Sequence, residues 1–200
     1  MKAKHPLISE VQTSRPLELL HIDLMGLASV QSLGGMKYIL VVVNDFTQYT
    51  WVVLLKDKFE AADKMIHLCK KLQVEKNTLI APIRNDHGRE FENSKLKSFC
   101  NDQGTKQGFS TPKTPQLNGV VKRKNRVIQE MVRVMLNNKS MPKSFWGEAV
   151  NIACHTLNKV YFHPDTKKTL YELWRGKKPV VKYFRVFGSD WLYPSRPRKS

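Results

Sequence analysis

The 200-residue chain is poor in cysteine: Cys69, Cys100 and Cys154 are odd in number, widely spaced and form no CxxC pair. That scarcity excludes a disulfide frame and a cysteine zinc site, and it suits thiols buried in a reducing, intracellular compartment. Cys154 and His155 are neighbours in a helical run and diverge by about 100°, so they make no ligand pair. Long apolar runs are also missing. The longest, Tyr38 to Val43, is far too short to span a bilayer, and Met1 to Glu10 lacks the apolar centre of a signal peptide. Acidic residues are the third shortage, with 17 Asp and Glu against 34 Lys and Arg and a formal net charge of +17. Such a surplus points to a polyanion, with DNA or RNA ahead of an anionic membrane surface. Neither a membrane nor a small-molecule substrate is expected as a partner. What is present suffices for one core, since 41% of the residues are hydrophobic.

Residues 1–15 are polar and aperiodic and read as a linker. Leu17 to Leu24 is apolar-rich and precedes Gly26, as in a strand ending near Asp23; an acid among apolar neighbours needs a hydrogen-bond partner or a cation. After Gly34-Gly35, the β-rich runs Lys37 to Asn44 and Tyr49 to Lys56 predict a hairpin, so three antiparallel strands start the fold. Apolar residues from Phe59 to Gln73 recur with helical period. Leu79 to Ile83 is a fourth strand candidate, weakened by Pro82, with Asp86 at its end. Asn93 to Asn101 predicts a short helix and Thr105 to Phe109 a fifth strand. Ser144 to Val160 carries Phe145, Trp146, Ala149, Ile152, Ala153 and Leu157 at the spacing of a core-facing helix. Beyond His163 the chain turns rich in Lys, Pro and Gly, with a short apolar piece at Tyr183 to Phe187. Antiparallel strands first and β-α-β afterwards give an α/β class.

The stretch Pro115 to Arg133 opens on the turn pair Asn118-Gly119 and runs on as a helix. On a wheel, Val120, Val127, Ile128, Met131, Val134 and Met135 gather on one side. Lys122, Arg126, Gln129 and Arg133 share the other. This cationic stripe can lie along a phosphate backbone, contacting it without reading sequence. With the neighbouring basic residues, the candidate DNA contacts are Lys122, Arg123, Lys124, Arg126 and Arg133.

Six ordered segments carry a resemblance: LELLHIDLMG (17 to 26), YILVVVNDFTQYTW (38 to 51), IRNDHGREFEN (83 to 93), TPQLNGVVKRKNR (114 to 126), FWGEAVNIACHTLNK (145 to 159) and KYFRVFGS (182 to 189). Together they resemble the integrase core of Ty1/copia-type retrotransposon Pol polyproteins, particularly plant ones. The resemblance implies an RNase H-like fold, a five-stranded mixed sheet flanked by helices, over residues 16–162. It also implies a missing zinc-binding segment before the residue 1–15 linker and a truncated C-terminal extension over 163–200.

The family's catalytic triad is Asp, Asp, Glu, and by resemblance its first two members fall on Asp23 and Asp86, which would also be the metal ligands. The third falls on Lys122, with the family's usual thirty-five residues between it and Asp86. The expected cofactor is Mg²⁺ or Mn²⁺, serving 3′ processing and strand transfer by in-line displacement at phosphorus. Such hard ions take oxygen ligands, and a protonated amine has no lone pair to offer. A cation about 4 Å from a divalent ion, at an effective dielectric near 20, costs up to about 8 kcal/mol. Metal binding is therefore expected to be weakened and catalysis impaired. Asp45 is a lesser candidate for the cleft, and Glu90, Glu92 and Glu130 are poor substitutes for the missing acid. The implied partners are DNA and, if the chain is functional, other copies of itself, with action in the nucleus. Two other readings stay open: a non-catalytic nucleic-acid-binding or assembly module, and a decayed retroelement fragment without a role.

Overall fold

The computed structural model describes residues 13–26, 30–85, 91, 94–104, 107–109 and 119–189. Its centre is a five-stranded mixed sheet in the order β3-β2-β1-β4-β5. Strands β1 (Leu20–Gly26), β2 (Tyr38–Asn44) and β3 (Thr50–Leu55) form an antiparallel meander. Strands β4 (Ile83–Asn85) and β5 (Gln107–Phe109) add to it in parallel. Among the described residues the α-helices are α1 (Ala61–Lys76), α2 (Ser94–Asp102), α3 (Gly119–Asn138), α4 (Trp146–Val160) and α5 (Leu170–Arg175).

Alternation along the strands divides the core in two. Leu20, Ile22, Leu40 and Val42 point to one face, where Met65, Cys69 and Leu72 of α1 and Leu96 and Phe99 of α2 cover them. Met25, Ile39, Val41 and Val43 point to the other face and pack on Val121, Ile128 and Val132 of α3 and on Trp146, Ala149, Val150 and Ala153 of α4. Since side chains two apart share a face, His21 and Asp23 belong to the second side with Met25. Asp23 sits opposite Val41, near the middle of the sheet.

The expected order of elements is present, with shifts that have local causes. The fourth strand starts at Ile83, not Leu79: Pro82 has no N–H for a ladder, and its carbonyl instead accepts from Leu20 N at 3.2 Å. Helix α1 continues to Lys76 and ends at Asn77, whose φ of 47° is the left-handed geometry that stops a helix. The piece Tyr183 to Phe187 forms neither helix nor strand, but Phe187 packs against the α3–α4 core and the Phe184 ring lies 5.5 Å from that of His155.

Two buried contacts fasten the layers. Asn158 of α4 accepts from Thr50 N at 2.9 Å and donates to Thr50 O at 2.7 Å, so its amide completes the start of β3 as a neighbouring strand would. Helix α5, framed by the Thr169/Glu172 capping box, drives Trp174 into the α1 side of the core. There the Trp174 indole donates to Glu75 at 2.8 Å and meets the rings of Tyr49 and Trp51. Packing thus continues beyond residue 162 without a break, although the composition changes at His163.

Candidate functional site

The centre of the site is Asp23, half-buried on β1 beneath α3. Its Oδ2 accepts from Asn125 Nδ2 at 2.6 Å, and its Oδ1 from Leu24 N at 3.1 Å. A carboxylate surrounded by Leu24, Met25 and Val41 is tolerable only with such donors. A carboxylate oxygen is a hard donor of the kind a divalent cation takes. Asn125 is 6% exposed, the polar member of the α3 stripe Val121, Asn125, Ile128 and Val132 that faces the sheet. Lys122 is three residues earlier, about 4.5 Å along the axis and about 60° around it. It is exposed, and it belongs on the helix flank nearer Asp23. Asp86 lies outside the described residues, as do Glu90 and Glu92. Among the described residues no three of His, Cys, Asp and Glu cluster as a metal site.

The sequence wheel was about one residue out of phase. The buried stripe is Val121, Asn125, Ile128 and Val132, whereas Val134, expected inside, is 51% exposed. Val120, Val127, Met131 and Met135 are half-buried at its margin. The cause is the sheet's demand for a polar group opposite Asp23, which turns Asn125 inward and carries the apolar stripe with it.

The five basic residues expected to contact DNA do not form one surface. Lys122, Arg126 and Arg133 are exposed along one flank, where Arg133 also pairs with Glu130 and Gln129 reaches Met25 Sδ at 3.4 Å. Lys124 lies about 200° around the helix from Lys122. It is half-buried beside Val120 and Val127, and together with Arg123 it lines a different cavity. Burial, and then the charge of Arg123, lower the Lys124 ammonium to about 8.

Asp45 is committed to a structural network. Its Oδ1 is 2.7 Å from Nε2 of the buried His21, and its Oδ2 accepts from Thr13 Oγ1 at 2.7 Å. Burial would raise its carboxyl, but the hydrogen bonds from His21 and Thr13, with the charges of His21 and Arg84, hold it below the usual range. The adjoining Asn44 accepts from Thr47 N and Oγ1 and shapes the β2–β3 turn.

An integrase core domain model matches residues 13–115, just over half of the chain. The chain belongs to the integrase core domain family. This integrase core is 34% identical over 176 residues to the retrovirus-related Pol polyprotein from transposon TNT 1-94 of Nicotiana tabacum, covering 86% of the chain and 13% of the polyprotein. It is 29% identical over 194 residues to the corresponding polyprotein from transposon RE2 of Arabidopsis thaliana, covering 96% and 13%. The integrase core thus spans only 13% of the length of these curated relatives. Among solved structures, the HTLV-2 integrase catalytic core domain in complex with magnesium, in a trimeric form, superposes with a TM-score of 0.59 at 19% identity, covering 79% of this chain and 96% of that one. A chain of the simian T-cell lymphotropic virus intasome in complex with PP2A regulatory subunit B56 gamma superposes with a TM-score of 0.64 at 16% identity, covering 90% and 61%. These likenesses identify the fold as that of the integrase catalytic core, RNase H-like. No helix among the described residues is long and apolar enough to cross a membrane.

Asn125 and His21 were not singled out beforehand. Asn125 had a readable signal, as a polar residue at i+4 from Val121 and i−3 from Ile128. His21 is two residues before Asp23, the spacing of side chains on one strand face. The pairing of His21 with Asp45 depends on the β1–β2 register, which local sequence does not announce.

Proposed function

We propose that this integrase core binds DNA through α3 and that its metal-dependent 3′ processing and strand transfer are impaired by Lys122. The observation that supports this reading is the hydrogen bond from Asn125 to Asp23, which sets α3 against the β1 carboxylate three residues after Lys122. An acid there would add a second hard ligand near Asp23. A lysine adds a positive charge and no lone pair. The donor set of Asp23 with Asp86 suits one divalent ion, Mg²⁺ or Mn²⁺, which would supply charge stabilisation at the reacting phosphate. It does not suit a pair of ions.

What the residues present can do is hold and orient. Asn125 fixes one Asp23 oxygen, Leu24 N holds the other, and the exposed ammonium and guanidinium groups of Lys122 and Arg126 lie on the flank available to phosphates. The magnesium complex and the dimeric and trimeric forms of the HTLV-2 integrase catalytic core domain support divalent metal use and self-association as properties to test in this chain. A chain that acts on chromosomal DNA would do so in the nucleus.

The test is a strand-transfer and 3′-processing assay on a model DNA end with Mg²⁺ or Mn²⁺, comparing the unaltered chain with Lys122→Glu. The unaltered chain should stay near background and Lys122→Glu should exceed it by about 100-fold, the order of effect expected for restoring one catalytic ligand. Strong turnover by the unaltered chain would overturn the impairment. Failure of both chains to bind DNA at low salt would overturn the DNA reading itself.

A further inference from the structure

On the other flank of α3 lies a cavity of about 790 Å³, bounded by the β1 and β2 ends, β4, α3 and the loop after α4. Arg84, Arg123 and Lys124 reach it from two separate elements, and none of the three forms an ion pair with a described carboxylate. The cavity's acids are engaged: Asp45 by His21 and Thr13, and Asp165 by His163 at 4.0 Å. The local balance is therefore positive. Two aromatic rings stand at the rim, Tyr161 at 44% exposure and Phe162 at 65%.

The decisive atom is Nδ1 of His21. This residue lines the cavity and is 1% exposed, and Nδ1 has no hydrogen-bond partner among the described residues. Nε2 is taken by the Asp45 carboxylate, which leaves Nδ1 as the unpartnered polar atom of the ring. A buried polar atom left without a partner is costly. A sugar hydroxyl, which both donates and accepts, can meet it.

We propose that this cavity is a nucleotide site: the phosphate sits among Arg84, Arg123 and Lys124, the sugar hydroxyl meets His21 Nδ1, and the base stacks on Phe162. Three chemically distinct groups lining one cavity, a cationic set, a buried imidazole nitrogen and a π-face, match the three parts of a nucleotide. The depressed ammonium of Lys124 fits this assignment, since an anion beside it offsets both the burial and the charge of Arg123. The inference stands apart from the integrase reading, because a mononucleotide binds here whether or not the chain acts on DNA. Its source is either a free nucleotide or the 3′-terminal residue of a DNA strand, the one strand position with a free sugar hydroxyl.

Calorimetric titration of the full chain with dAMP, deoxyadenosine, 2′,3′-dideoxy-AMP and the dinucleotide pdApdA tests it. dAMP should bind at least tenfold more tightly than deoxyadenosine and several-fold more tightly than the dideoxynucleotide. Arg84→Gln and, at an exposed site that leaves the fold intact, Phe162→Ala should each weaken dAMP at least fivefold. Lys64→Gln, on the opposite face of the sheet, should not. A pdApdA affinity more than tenfold above that of dAMP identifies a strand as the source, and an equal or lower affinity identifies a free nucleotide. Equal binding of dAMP and deoxyadenosine, or of dAMP and the dideoxynucleotide, overturns the assignment. So does an unchanged dAMP affinity in Phe162→Ala.

Discussion

The two flanks of α3 carry similar basic residues in different surroundings. On the Asp23 flank, Lys122 and Arg126 are exposed, while the buried Asn125 links the helix to β1. On the cavity flank, Lys124 is half-buried beside Arg123, and its charge is disfavoured. A run of three cations in sequence, Lys122 to Lys124, is thus divided by the helix between two environments. A charge on the first flank contributes to what the protein can bind at almost no cost in stability. A charge on the second costs stability until an anion meets it.

The sharpest way to break this comparison is to exchange the charge on each flank in turn. Lys122→Glu should raise strand transfer about 100-fold, whereas Lys124→Glu, facing away from Asp23, should raise it by less than about twofold in the same gel assay. A similar gain from both variants would mean that overall charge, not position, limits the reaction.

The link between the flanks is Asn125. Asn125→Ala leaves the buried Asp23 with one donor fewer, so the cost should be about 2 kcal/mol of unfolding free energy in urea. Asn125→Asp places a second acid against the first and should cost more at neutral pH, with part of the loss recovered as the solution is acidified. A neutral result for Asn125→Ala would show that solvent replaces the amide and that the helix is set by apolar packing alone.

Lys124 gives a smaller effect of opposite sign. Its folded value of about 8 lies below the ordinary 10.5, so the folded state binds this proton less tightly than the unfolded chain does. The cost is fully present below pH 8, declines between pH 8 and 10.5, and vanishes above. Lys124→Met should accordingly stabilise the chain by about 1 kcal/mol at pH 7, with the advantage fading as pH rises through that window in thermal melts. Lys122→Met should change stability by less than about 0.5 kcal/mol at any of these pH values.

Much of this arrangement was legible before the fold. Strand alternation placed the sheet, Gly119 marked the start of α3, and Asp23 was conspicuous as an acid in an apolar run. The phase of α3 was not legible, because Val120, Val121, Val127, Val134 and Met135 surround the helix too broadly for hydropathy to choose a centre. The choice is made by tertiary contact between Asn125 and Asp23, 102 residues apart. The cavity was illegible for the same reason: His21, Arg84, Lys124 and Phe162 come from four segments that only the sheet order and the turn after α4 bring together. Asp45 could be noticed as a cleft acid, but its partner His21 follows from register, not from spacing.

The least effect, and the most direct probe of the Asp23 flank, is the salt dependence of DNA affinity. Each phosphate contact releases condensed counterions, so one contact contributes about 0.9 to the slope of log affinity against log salt on duplex DNA. Arg126→Gln should lower the magnitude of that slope by about 0.9 in fluorescence anisotropy, because its guanidinium is exposed and has no described acidic partner. Arg133→Gln should lower it less, since Glu130 already neutralises that guanidinium and the freed carboxylate then repels the backbone. Lys124→Gln should leave the duplex slope unchanged, as its amine faces the cavity. An equal fall for Arg126 and Lys124 would place the duplex across both flanks, and the division of α3 into two binding surfaces would then be wrong.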